Sequence, residues 1–142
     1  MGLCGAGVEF SQITKGGKMV SLLFCVYLVN ATLIINHEIE SAYWKEWELF
    51  KLPGQLTGFL LIHFPVLAVI IWGSTLVYLK SSAGYIISII LSFGGLFAFF
   101  AHTYFIMKGK PEFKLPISFT ILGSILVVSL VQLVLSIYAL AT

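Results

Sequence analysis

The chain has 142 residues, of which 59% are hydrophobic and only 10% charged, with a mean hydropathy of +1.03. A soluble domain carries about a quarter charged residues, so this composition excludes a water-soluble globular enzyme and a disordered chain. All eight basic residues are lysines and the net charge is only +2, which leaves no basic surface for nucleic acid.

The first 18 residues differ from the rest. They contain Gly2, Gly5, Gly7, Gly16 and Gly17 and show no helical periodicity. The run Lys15-Gly-Gly-Lys18 directly precedes Met19, and a purine-rich stretch resembling a bacterial ribosome-binding site can encode it. The segment therefore reads either as translated leader ahead of a start at Met19 or as a disordered tail. Cys4 lies in this segment and Cys25 in the apolar run that follows; two such positions make neither a disulfide framework nor a zinc ribbon, and no CxxCH haem attachment is present.

Four apolar stretches then follow, at about residues 20–41, 57–79, 83–107 and 116–141. Each meets the roughly 20 residues that cross a bilayer at about 1.5 Å per residue. In lipid each backbone polar group needs an internal partner, so the stretches are helices despite their many Ile and Val residues. Val29-Asn-Ala31 resembles a signal-cleavage site, but with a start at Met19 there is no basic n-region and the apolar run continues past the site, which favours an uncleaved helix. Lys80–Gly84 is a tight turn, Lys108–Leu115 is a short link punctuated by Pro111, and Pro53-Gly54 marks a turn in the longest link, 42–56. Short links make successive helices antiparallel neighbours. The expected fold is all-α, an integral membrane up-down-up-down four-helix bundle forming one domain over 19–142. Its surroundings are the lipid bilayer, and the expected location is a bacterial cytoplasmic membrane. Lys45, Lys51, Lys108, Lys110 and Lys114 gather at one face, against Lys80, Lys15 and Lys18 at the other, which places the first face inside. The stretch with Trp44, Lys45, Glu46, Trp47, Glu48 and Lys51 reads as an amphipathic segment on the membrane surface.

All three histidines fall within the spans. His37 precedes the interfacial Trp44 by seven residues, roughly 10 Å of helix; His63 and His102 lie about 9 Å from the same face. Three helices thus bring imidazoles to one layer. Glu40 follows His37 by three residues, and Glu38 sits about 100° round the helix from it. Ionisable groups at such depth face a bundle interior or an aqueous cavity. Imidazoles with a carboxylate form the ligand set of zinc and of non-haem iron. His37, Glu40, His63 and His102 are the candidate metal ligands, and Glu40 or Glu38 the candidate general base. Asn36, Thr103 and Tyr104 are candidates to orient the ligands. Three readings stay open: a metal-dependent enzyme acting on a lipophilic small molecule, an accessory subunit or transporter component whose polar cluster ties helices together, and a b-type haem protein with haem between His63 and His102. Gln132, with Ser124, Ser129 and Ser136, reads as interhelical hydrogen bonding, and Gly94, Gly95 and Gly123 as close helix contacts.

The run Ile35-Asn-His-Glu-Ile-Glu-Ser41 at the end of the first span resembles the hallmark of the HXXEE-type membrane proteins, matching it at His37 and Glu40. Ser41 stands where that family carries a second Glu. The resemblance implies a small bacterial multi-helix membrane protein with suspected metal binding or enzymatic activity, and it supplies no substrate.

Overall fold

A computed structural model describes the backbone of residues 4–109 and 115–142 and the side chains of 19–109 and 115–142. It contains α1 (Cys4–Tyr43), α2 (Glu46–Leu49), α3 (Gln55–Tyr78), α4 (Ser82–Met107) and α5 (Pro116–Ala141). Among the described residues, four segments are long and apolar enough to cross a membrane: Met19–Tyr43 within α1, and all of α3, α4 and α5. These agree with the expected spans to within two residues at each end. Lys110, Pro111 and Lys114 lie outside the described residues.

The helices close a circuit in chain order. α3 packs on α1 and α4, and α5 packs on α4 and α1, so each long helix neighbours its successor as short links require. The α3–α4 turn ends in a Schellman arrangement. Lys80 takes the left-handed conformation at φ 56°, and the Ser81 amide reaches back to the Leu76 carbonyl at 3.0 Å. Gly84 lies so close to the Leu76–Val77 backbone that a Cβ there would collide with it.

The interior follows a four-three spacing. α1 buries Leu23, Tyr27, Asn30, Ile34, His37 and Ser41. α5 buries Ser118, Leu122, Ile125, Ser129, Gln132, Ser136 and Ala139. This 3.5-residue repeat is that of helices packed along one seam. Its chemistry is reversed from a soluble bundle: serines, Asn30, Gln132 and two histidines point inward, while Leu61, Phe64, Trp72, Phe97 and Val134 point outward. Apolar residues cover the outside because lipid is the solvent there, and the polar groups turn in to find partners.

Those partners form a network across three helices. Asn30 Nδ2 donates to Gln132 Oε1 at 2.8 Å, and Gln132 Nε2 donates to the Ser88 carbonyl at 2.9 Å. Ser88 and Ser136 share a hydroxyl bond of 2.7 Å, and Asn30 also pairs with Ser129. Gln132 therefore ties helices as expected, with Asn30 and Ser88 added to its set. Of the three glycines expected at close contacts, only Gly95 is at one, against Ser129 and Ile125; Gly94 and Gly123 face open space.

The link 42–56 is not a surface segment throughout. Lys45 adopts φ 56°, ψ 46° and reverses the chain into α2. Glu46 and Trp47 are buried, while Lys45, Glu48 and Lys51 remain exposed. The Trp47 ring packs on Phe59 of α3 at 5.8 Å, and Phe50 meets Phe105 of α4 edge-on at 5.3 Å. These two contacts hold α2 as a cap across the end of the bundle.

Candidate functional site

α1 supplies a fan of ionisable side chains. At about 100° per residue, Glu38 lies some 100° to one side of His37 and Glu40 some 60° to the other. His37 therefore faces α4, Glu38 faces α3 and Glu40 faces α5. The His37 and His102 rings meet edge-on with centroids 4.5 Å apart. Glu38 Oε2 lies 2.8 Å from His63 Nε2. Glu40 Oε1 accepts a hydrogen bond from the Ser118 hydroxyl, and its Oε2 is buried without a hydrogen-bond partner among the described residues.

A third carboxylate completes the cluster. The reversal at Lys45 turns Glu46 inward, where its Oε1 lies 3.2 Å from His102 Nε2. His37, Glu46 and His102 each offer a ligand atom, and these atoms lie within 4.8 Å of one another, close enough to hold one metal ion. His37 and His102 are only 2% and 1% exposed. Burial raises the pKa of Glu46, but the hydrogen bond from His102, the adjacent Ser41 hydroxyl and the nearby imidazoles outweigh it, so the carboxyl is held below its ordinary value.

The three histidines lie in two groups. His37 and His102 share one centre with Glu46, whereas His63 is engaged by Glu38. Its Nδ1 lies 2.7 Å from the Phe59 carbonyl, which can only accept, so Nδ1 carries the hydrogen. Glu40 is turned to α5 and is not brought to the histidines. Asn36 is exposed and donates back to the Thr32 carbonyl, and Tyr104 is exposed with Lys108 over its ring, so neither orients the cluster. Sequence reasoning placed Glu46 on the membrane surface. The available signal was Pro53-Gly54 and a link long enough to fold back.

His37, Glu38, Glu46, His63 and His102 line one end of a cavity of about 590 Å³. That volume lies within the range of about 300–1,000 Å³ typical of small-molecule sites. Phe50 and Leu52 close the cluster end, and the rest is walled by apolar residues of α1, α3 and α4, among them Ile34, Val69, Ile87, Ile90 and Gly94. The arrangement combines an ionisable end, an apolar body and a ligand set fit for a metal.

The chain matches the family described as a family of unknown function (DUF6713) over residues 23–139 and belongs to it. That match covers the second and third membrane segments, nearly all of the first and fourth, and the whole cluster. No curated protein and no solved structure matches the chain. The resemblance to the HXXEE-type proteins rests on His37 and Glu40 alone.

Proposed function

We propose that this DUF6713 protein holds a zinc or iron ion between His37, Glu46 and His102 and uses it to act on a lipophilic small molecule within the membrane. The observation that carries this reading is the convergence of two buried imidazoles and a carboxylate at the end of an apolar cavity. Two histidines and one carboxylate are the protein ligands of catalytic zinc sites with an open position, and of non-haem iron sites. Such an ion supplies Lewis-acid activation of a bound oxygen. Glu38 lines the same cavity and is the acid–base group of this reading, with His63 holding it in place. Glu40 serves as an anchor to Ser118 and stands outside the ligand set. The excess of lysines beside α2 supports an inner position for that end, in a bacterial cytoplasmic membrane on this reading.

A rival reading has a specific observation behind it. The bundle already uses Asn30, Gln132 and Ser88 to tie helices together, and an accessory subunit or transporter component would use the His–Glu cluster in the same way. Elemental analysis of the purified full chain separates the two. The metal reading expects about one zinc or iron per chain, lost in His37→Ala, His102→Ala and Glu46→Ala and kept in Glu40→Gln. Protein that stays metal-free after zinc and iron are supplied overturns it.

A further inference from the structure

The cavity has a shape as well as an ionisable end. Along α4 its wall runs from His102 back to Ile87, about 22 Å of helix at 1.5 Å per residue. Half of the bilayer hydrocarbon core is about 15 Å, so the slot is long enough for a full hydrocarbon chain. Ile34, Ile70 and Leu91 form a buried floor. Val66 and Val69 of α3 and Ile90 and Phe97 of α4 also line it, yet are 46–66% exposed, so the slot lies open to the acyl chains between these helices. Within it α3 is poorly covered: between Phe59 and Ile70 no residue of this helix is buried. Gly94 widens the slot, since a Cβ there would meet nothing within 4 Å.

The charge pattern selects the head group. The lining holds two glutamates and three histidines but no lysine, and arginine is absent from the chain. A phosphate would lose its hydration in a site with no side chain of fixed positive charge and would depend on the bound ion alone for a counter-charge. A hydroxyl or ester can exchange hydrogen bonds with imidazoles and carboxylates without that cost.

We propose that the slot takes a single-chain lipid with an uncharged, oxygen-bearing head, an alcohol or ester, which moves in sideways between α3 and α4 and presents its head to the His–Glu cluster. This names the substrate class of the metal site and rests on the reading of that cluster as the reacting end. The volume of about 590 Å³ suits one chain with a compact head and not a two-chain phospholipid.

The test uses the full chain in nanodiscs and a long-chain alcohol carrying a diazirine at the end of its tail. After irradiation, labels are expected to concentrate on residues 66–70 and 87–94. Gly94→Leu fills the slot and is expected to reduce labelling about tenfold, the loss produced by about 1.4 kcal/mol. Gly123→Leu, on α5 and equally free of neighbours, leaves labelling unchanged. Ala98→Leu is the second block if Gly94→Leu does not fold. A monoacylglycerol competes with the probe, whereas lysophosphatidic acid of the same chain length does not.

Equal labelling in wild type and both blocked variants overturns the slot, and equal competition by lysophosphatidic acid overturns the uncharged head. Metal content of the same samples keeps the two proposals apart. Slot-confined labelling in metal-free protein retains the lipid site and removes the metal; a metal-loaded protein labelled outside the slot does the reverse.

Discussion

His63 and Glu38 hold a single proton between them. The Phe59 carbonyl fixes the hydrogen on Nδ1, so the 2.8 Å contact from Nε2 to Oε2 needs one proton, on either the imidazole or the carboxyl. Without it two lone pairs would face each other in a membrane interior. The pair is therefore neutral overall, which is how an ionisable residue of α1 is accommodated against α3.

This geometry predicts different outcomes for two substitutions of Glu38. Glu38→Gln can donate an amide hydrogen to Nε2 and is expected to retain nearly all of the stability. Glu38→Leu leaves Nε2 without its partner and is expected to cost about 1–3 kcal/mol. Unfolding titrations in mixed detergent micelles measure both; equal losses would contradict the shared proton.

Metal removal tests the centre at His37, Glu46 and His102 through stability. A ligand that binds the native state stabilises it by about 2.7 kcal/mol at a hundred times its dissociation constant. Chelation is expected to lower the melting temperature of wild type and to leave Glu46→Ala unchanged. Metal ligation needs an ionised Glu46 and an unprotonated nitrogen on each of His37 and His102, so affinity is expected to weaken as the pH falls.

In the metal-free protein, docking of α2 should depend on acid in a defined direction. The Glu46 carboxyl is held below its ordinary value of 4.5, with burial opposing and His102 and Ser41 prevailing. A depressed carboxylate contributes stability that is fully present above the unfolded pKa and lost as pH falls through the lower folded one. The docked cap should thus persist above about pH 4.5 and loosen below it. Trp47 fluorescence reports the change through its contact with Phe59, and Glu46→Gln should remove the transition.

The neighbouring glycines of α4 make a contrasting pair. Gly95→Ala drives a methyl group against Ser129, which is bonded to Asn30, and is expected to cost about 1–3 kcal/mol. Gly94→Ala meets nothing and gains about 0.5–1 kcal/mol from the better helix former. Unfolding titrations of the two variants should therefore move in opposite directions.

The polar seam itself can be weighed. Asn30 and Gln132 are joined at 2.8 Å between α1 and α5. A double-mutant cycle with Asn30→Ala and Gln132→Ala is expected to give a coupling near 0.6 kcal/mol and no more than about 1.7, the range for hydrogen bonds between membrane helices. A coupling indistinguishable from zero would mean that the network does not hold α1 to α5.

The four spans were readable from the amino-acid order because a run of twenty apolar residues has one solution in lipid, the helix, whatever its strand propensity. Short links then set the circuit of neighbours. The shared depth of His37, His63 and His102 followed from counting residues inward from one interface. The inward serines of α5 carried a usable signal too, a four-three spacing of polar residues in an apolar helix, which extends to Asn30 in α1. What the order could not supply was direction. Glu38 and Glu40 flank His37 at angles that sequence arithmetic provides, yet only the packing of α3 on one side and α5 on the other decides that Glu38 meets His63 and Glu40 meets Ser118. Glu46 reaches His102 solely because Lys45 reverses the chain and Trp47 finds Phe59. A ligand set is a matter of a few ångströms between helices, and local periodicity carries no information about that distance.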